Sequence, residues 1–226
     1  PKTEMWYLVG TDTGADLFVG LRHGVTREEF AKCLKEAPDQ VAQLFHRIDT
    51  RPGDAMFLPS GRVHAIGAGN LIFEIQQNSD TTYRVFDWNR VGLDGQPREF
   101  HIPESMESIE FNDFEPGLVR LPESNWNGVP TRPVAEDRLF HVNAIQSNQC
   151  VSGWTPPPQN GFWILGMISG DLSMSGLNPE DSPHEGGKVA PGEFVLFPAD
   201  LDWERFQLSW NASPESPVEF LMIRNG

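Results

Sequence analysis

Turn-forming residues recur along the whole chain, and only short apolar runs separate them. No other feature of the sequence limits the fold as much. Nineteen prolines and 21 glycines are spread through 226 residues rather than clustered. Proline cannot donate to a hydrogen-bond ladder, and glycine weakens the interior of a helix or strand. The intervening runs are rich in Val, Ile, Phe and Trp and have strand length: residues 5–9, 17–21, 54–58, 71–76 and 81–86 early on, then 161–168, 171–175, 193–197 and 218–223. This pattern predicts an all-β framework of short strands joined by tight turns.

Two helices interrupt it. Thr26 and Glu29 are spaced as a capping box, in which each side chain satisfies a free backbone donor at the helix start. A second helix is expected from about Pro38, because Val41, Leu44, Phe45 and Ile48 recur at i, i+3, i+4 and i+7. Both read as an insertion between strands. Residues 101–135 are rich in Pro, Glu and Asn and read as a connection plus an irregular strand; residues 178–187 read as a loop. The expected organisation is a first domain over 1–105, a connecting segment over 106–135 and a second domain over 136–226. The run Pro52-Gly53-Asp54-Ala55-Met56-Phe57-Leu58-Pro59 is echoed by Pro191-Gly192-Glu193-Phe194-Val195-Leu196-Phe197-Pro198, which suggests two related modules.

Charge narrows the function. A net charge of −15 is the opposite of what displaces counterions from nucleic acid, and it disfavours an anionic membrane surface. A phosphorylated substrate would need the few basic residues gathered at its site. Two cysteines, Cys33 and Cys150, are too few for a disulfide framework and lack metal-ligand spacing. No run approaches the ~20 apolar residues of a membrane span, and no signal peptide is evident. A reduced, cytoplasmic protein is expected. The chain opens Pro1-Lys2-Thr3-Glu4-Met5-Trp6 straight into a strand, so a preceding segment is expected to be missing.

Chemistry concentrates in two places. Residues 53–64 run Gly-Asp-Ala-Met-Phe-Leu-Pro-Ser-Gly-Arg-Val-His: a glycine, five residues, Pro, one residue, Gly, two residues and His64. Strand alternation places Lys2, Glu4 and Trp6 on one face, Ile72, Glu74 and Gln76 on another, and Thr82 with Arg84 on a third. Leu71, Phe73 and Ile75 take the opposite face, available for packing. A carboxylate such as Glu74 in an apolar strand is unusual, since charges are seldom buried without a partner.

The 53–64 spacing resembles the second cupin motif, although Ala68 stands where that motif usually ends in Asn and Asn70 lies two residues on. In that reading a strand crosses a barrel wall, the Pro-x-Gly turn reverses it and His64 points into the lumen. A longer resemblance is to the type I mannose-6-phosphate isomerases, zinc enzymes of the cupin superfamily. It runs through Lys2-Thr3-Glu4-Met5-Trp6-Tyr7, the run from His64 to Gly69, the run from Glu74 to Trp88, Pro97-Arg98-Glu99 and His101-Ile102. The resemblance implies two cupin-like (jelly-roll) barrels, with the helical insertion in the first. It also implies one zinc ion, with Glu4 and His64 matching two of its ligands. The family's remaining ligands, a Gln-x-His pair, lie upstream of Lys2 and are not in this chain. Arg84 matches the active-site arginine, Lys2 a lysine close to the substrate, and either Glu74 or Lys2 is the expected base.

The implied reaction interconverts mannose 6-phosphate and fructose 6-phosphate through an enediol. One alternative is a non-catalytic cupin that binds a sugar phosphate and has lost its N-terminal ligands; another is a different metal-dependent cupin, such as an oxygenase or epimerase. In the second module Trp203 stands five residues after Pro198, where a histidine would be needed, so that module is expected to bind no metal. His23, His46, His101, His141 and His184 show no partner spacing, and Trp154, Trp163, Trp203 and Trp210 are expected to fill the second core.

Overall fold

The computed structural model describes residues 2–88, 90, 92, 94–96, 98–157, 161–176 and 187–226. The chain divides into two compact units, Pro1–Val119 and Arg120–Gly226. The loop expected at 178–187, with His184, lies almost wholly outside the described residues, as does Pro97.

In the first unit, β1 (Glu4–Thr11), β4 (Ala55–Leu58) and β6 (Asn70–Gln76) form an antiparallel sheet in the order β4-β1-β6. A second sheet, β3-β2-β5, contains β2 (Asp16–Leu21), β3 (Phe45–Asp49) and β5 (His64–Ile66). The two sheets face each other across a core. Trp6, Leu8, Met56 and Leu58 from the first meet Leu17 and Val19 from the second, with Ile48, Ile66 and Ile72 at the margins. Burying side chains of this size stabilises by roughly 1.5–3 kcal/mol each.

Helix α1 (Arg27–Glu36) starts where the capping box predicts: Thr26 Oγ1 accepts from the Glu29 backbone N–H at 3.1 Å. It covers a satellite core on Phe30, Val41 and Phe45. The second expected helix is shorter than its period suggests. It is a 3-10 helix, Pro38–Leu44, and β3 begins at Phe45. Phe45 pairs with Leu21 and Ile48 with Leu17, so strand pairing overrides the helical spacing. The residues also serve two cores, Phe45 the satellite one and Ile48 the inter-sheet one.

The expected strand at 81–86 is absent. That segment is irregular, and its backbone bonds locally: the His101 N–H donates to the Arg84 carbonyl (2.8 Å), and the Arg84 N–H points to His101 Nδ1 (3.5 Å). The 106–135 stretch is more ordered than a connection. Helix α2 (Ile102–Ser108) ends in it, and β7 (Ser124–Trp126) and β8 (Val129–Glu136) belong to the second unit.

That unit adds β9 (Phe140–Ser147), β10 (Val151–Trp154), β11 (Trp163–Ser169), β12 (Asp171–Ser175), β13 (Lys188–Val189), β14 (Phe194–Phe197), β15 (Gln207–Asn211) and β16 (Val218–Asn225). Its sheets run β14-β11-β16-β9-β8-β7 and β10-β15-β12-β13 among the described residues.

The sequence echo marks a repeated architecture. Order β4-β1-β6 recurs as β14-β11-β16, and β3-β2-β5 as β13-β12-β15. The Asp54 N–H bonds the Arg51 carbonyl across Pro52-Gly53, and the Glu193 N–H bonds the Ala190 carbonyl across Pro191-Gly192, at 3.1 Å in both. Gly53 and Gly192 hold φ of 84° and 87°. Pro at the second position and a positive-φ glycine at the third are what a type II turn requires. A register shift falls between Leu8 and Gly10 in β1 and between Met167 and Ser169 in β11. Two units with the same turn, ladders and bulge are built from one module.

Candidate active site

The inward faces of the first unit change character along their length. At one end β1 contributes Leu8, β6 Ile72 and β5 Ile66, all against the inter-sheet core. At the other end the same strands contribute Glu4, Glu74 and His64. Register brings them together: Trp6 lies opposite Glu74 and Glu4 opposite Gln76, while His64 pairs with Val19 on the facing sheet. The alternation expected for Glu4, Trp6 and Glu74 therefore holds. On the outer face, Leu71 is 61% exposed.

Glu4 is the hub. Its side chain is only 6% exposed. Oε1 lies 2.9 Å from Lys2 Nζ, and Oε2 lies 3.8 Å from His64 Nε2. A hydrogen bond joins its carboxyl to that of Glu74, which also accepts from the Trp6 indole N–H at 3.1 Å. Burial, reinforced by that hydrogen bond and by the negative charge of Glu74, lifts the Glu4 pKa to about 7, against the opposing pull of Lys2. Partial burial also pushes Glu74 up. Hydrogen bonds from Glu4 and Trp6, with the charges of Lys2 and His64, outweigh it and hold Glu74 below the usual carboxylate range. With these opposed shifts Glu74 is ionised at neutral pH while Glu4 is partly protonated.

His64 stands edge-on to the Trp6 ring, centroids 5.0 Å apart and planes at 89°. Its Nδ1 lies 2.8 Å from the Arg62 carbonyl oxygen. A carbonyl only accepts, so Nδ1 carries the hydrogen and Nε2 presents a lone pair toward Glu4. Burial lowers the His64 pKa, which favours the neutral imidazole that a metal requires.

Whether these groups suit zinc can be judged from the donors. Two ligand atoms, each ~2.1 Å from one zinc, sit ~3.4 Å apart at the tetrahedral angle. The His64 Nε2 to Glu4 Oε2 separation of 3.8 Å is a modest widening of that. The pair fits part of a zinc site. No group of three or more His, Cys, Asp or Glu placed to hold a metal occurs among the described residues.

Arg84 is half-buried in the irregular segment. Its guanidinium donates to the Glu99 carbonyl at 3.4 Å, and among the described residues no hydrogen bond or ion pair joins it to Lys2, Glu4, His64 or Glu74. Lys2, Glu4, His64 and Glu74 are thus assembled, and Arg84 is held apart from them. Two participants were not among the expected site residues. Trp6 was readable, since it alternates with Glu4. Arg62, whose carbonyl orients His64, was visible within the Gly-Arg-Val-His run, but its partner Asp113 is distant in sequence.

In the second unit, register maps Glu4 onto Trp163, Trp6 onto Leu165, Glu74 onto Met222 and His64 onto Phe206. All four replacements are buried in one apolar core. The same module encloses a polar cluster in one copy and hydrocarbon in the other.

Facing antiparallel sheets with a carboxylate–imidazole cluster at one end of the space between them define a cupin-like β fold. A solved structure, the mannose 6-phosphate isomerase from Bacillus subtilis, shares it with a TM-score of 0.76 at 24% identity, over 98% of this chain and 64% of that one. A mannose 6-phosphate isomerase bound with zinc and yttrium gives 0.67 at 17%, over 99% of this chain and 66% of that one. No family model matches the chain. Among curated proteins, the probable mannose-6-phosphate isomerase GmuF of Bacillus subtilis is 46% identical over 183 residues, covering 79% of this chain and 55% of that protein. Mannose-6-phosphate isomerase ManA of the same organism is 41% identical over 173 residues, covering 76% and 53%. The chain is a homologue of the type I mannose-6-phosphate isomerases over that shared stretch. It spans about half the length of the curated relatives it matches.

Proposed function

We propose that this chain carries the larger part of the catalytic region of a zinc-dependent isomerase that interconverts mannose 6-phosphate and fructose 6-phosphate. Each unit is a cupin-type barrel; the first holds the chemistry and the second supports it. The observation that carries the reading is the convergence of Lys2, Glu4, His64 and Glu74 at one end of the first unit, in a chain with 46% identity to an isomerase relative.

Glu4 Oε2 and His64 Nε2 are the two zinc donors. A catalytic zinc site usually has three protein ligands, and the resemblance supplies the rest from a Gln-x-His pair upstream of Lys2. Zinc there supplies Lewis acidity toward an oxygen of the sugar.

The chain's own residues account for the remaining steps. Glu74 is ionised at neutral pH and solvent-accessible, so it is the group placed to take a proton from C2 and return it to C1. Its low pKa makes it a modest base, and the Trp6 indole fixes its direction. The Lys2 ammonium opposes the negative charge that builds on the enediol oxygens. Arg84, which the resemblance matches to the active-site arginine, adds positive charge beside the bound substrate. The distribution of charge fits a sugar phosphate: a strongly acidic chain places a lysine at the mouth of its site.

Turnover of mannose 6-phosphate by the protein in its natural length, with zinc and with a chelator control, tests the proposal. Zinc-dependent formation of fructose 6-phosphate is expected. Sugar-phosphate binding without turnover would replace the proposal with the non-catalytic reading, and metal-dependent oxygen consumption would replace it with an oxygenase.

A further inference from the structure

His64 Nε2 can offer its lone pair to a metal, or accept from a substrate, only if the ring proton stays on Nδ1. The group that holds it there is the backbone carbonyl of Arg62, 2.8 Å away. A carbonyl in a turn is only as well placed as the turn itself. This turn is clamped by the side chain of the same residue. Arg62 Nε donates to Asp113 Oδ2 at 2.8 Å, Nη2 to Asp113 Oδ1 at 2.9 Å, and Nη1 to the Phe57 carbonyl at 2.7 Å. Both side chains are largely buried, 16% and 18% exposed. A two-point arginine–carboxylate fork defines orientation as well as distance.

Asp113 is itself anchored. Its carbonyl accepts from the Leu21 N–H (3.0 Å), its N–H donates to the Glu110 carbonyl (3.2 Å), and the Glu110 N–H donates to the Gly61 carbonyl (2.9 Å). Gly61 has φ of 95°, and a Cβ there would come within 3.1 Å of the Ser108 carbonyl oxygen. The close approach of the two segments therefore depends on glycine.

The second unit offers an independent comparison. Where His64 is replaced by Phe206, fully buried against Phe197 and Trp203, the residue two places earlier is Glu204, which is exposed. Neither the imidazole nor the arginine recurs in the other copy of the module.

We infer that Arg62, locked by Asp113, is a positioning residue that fixes the tautomer and direction of His64. This inference rests on His64 being a working group of the proposed site, yet its main test needs neither zinc nor substrate. The test is the tautomer of His64 in metal-free protein labelled with 15N-histidine at pH 8, with the resonance assigned through His64→Gln. The wild type should show the Nδ1–H form alone, and Asp113→Asn and Arg62→Lys should show a mixture with Nε2–H. Asp87→Asn, which breaks the comparable Arg98–Asp87 pair (2.7 Å) away from the cluster, should leave the tautomer unchanged even if it lowers the melting temperature. Zinc titration is the second readout: the Asp113 and Arg62 variants should bind about 10–100-fold more weakly than wild type, the usual loss for partners behind a metal ligand, and Asp87→Asn should not. An Nε2–H tautomer in the wild type, or an unchanged tautomer in folded Asp113→Asn and Arg62→Lys proteins, overturns the inference. Absence of isomerase activity with the tautomer shift present would sink the proposed reaction and leave the positioning role standing.

Discussion

Replacing Glu4 with glutamine should remove a pH dependence that Glu4 gives the wild-type fold. Glu4 is almost fully buried beside a second carboxylate, and its pKa is raised from 4.5 to about 7. A carboxyl whose pKa is higher in the folded than in the unfolded state stabilises the fold while protonated. That contribution is complete below the unfolded value near 4.5 and is lost as pH rises through about 7. One pKa unit corresponds to about 1.4 kcal/mol, so the loss approaches a ceiling of about 3 kcal/mol, shared with Glu74 because the two carboxyls titrate together. Glu74 has the opposite sign: its contribution is present above about 4.5 and is lost below it. His64, with its lowered pKa, loses stability as pH falls below about 6.5. Both groups remain in Glu4→Gln, so the difference between the two proteins reports Glu4 together with its coupling to Glu74. Glutamine keeps the neutral shape of the protonated acid at every pH. Urea denaturation in the presence of a chelator, from pH 5 to pH 8, is the assay. Wild-type stability minus that of Glu4→Gln should fall as pH rises, by up to about 1.4 kcal/mol per unit. A flat or rising difference would show that Glu4 is ionised in the fold across this range, and the account of its burial would be wrong.

Two other substitutions test different parts of the structure. Arg84→Ala in the natural-length protein should lower kcat/KM by roughly 100-fold or more, the scale of losing a charge-stabilising group, with little change in urea midpoint, because the guanidinium bond among the described residues is a long one, 3.4 Å to the Glu99 carbonyl; near wild-type turnover would remove Arg84 from the mechanism. Gly192→Ala should cost about 1–2 kcal/mol from its φ of 87° alone, since a Cβ there meets nothing within 4 Å, and a neutral effect on melting would contradict the turn geometry.

The sequence by itself determined the strand framework, the helix start at Thr26, the turn at Pro52-Gly53 and its echo at Pro191-Gly192. It also singled out Glu4, His64 and Glu74. These are local matters: proline and glycine restrict or free the backbone where they stand, capping joins residues three apart, and alternation sorts side chains onto faces without any distant partner. It misjudged the segment after Pro38, where pairing of Phe45 and Ile48 with β2 overrode a helical period, and the 81–86 run, where His101 takes the backbone bonds that a neighbouring strand would have made. Tertiary structure alone decided how the site works. Register set Trp6 opposite Glu74, burial raised the Glu4 pKa while neighbouring groups held that of Glu74 down, and Asp113, 51 residues from Arg62, clamped the turn that orients His64. Such couplings depend on distances of a few ångströms between groups far apart in the chain, and on the low dielectric around them, neither of which is written in the spacing of residues.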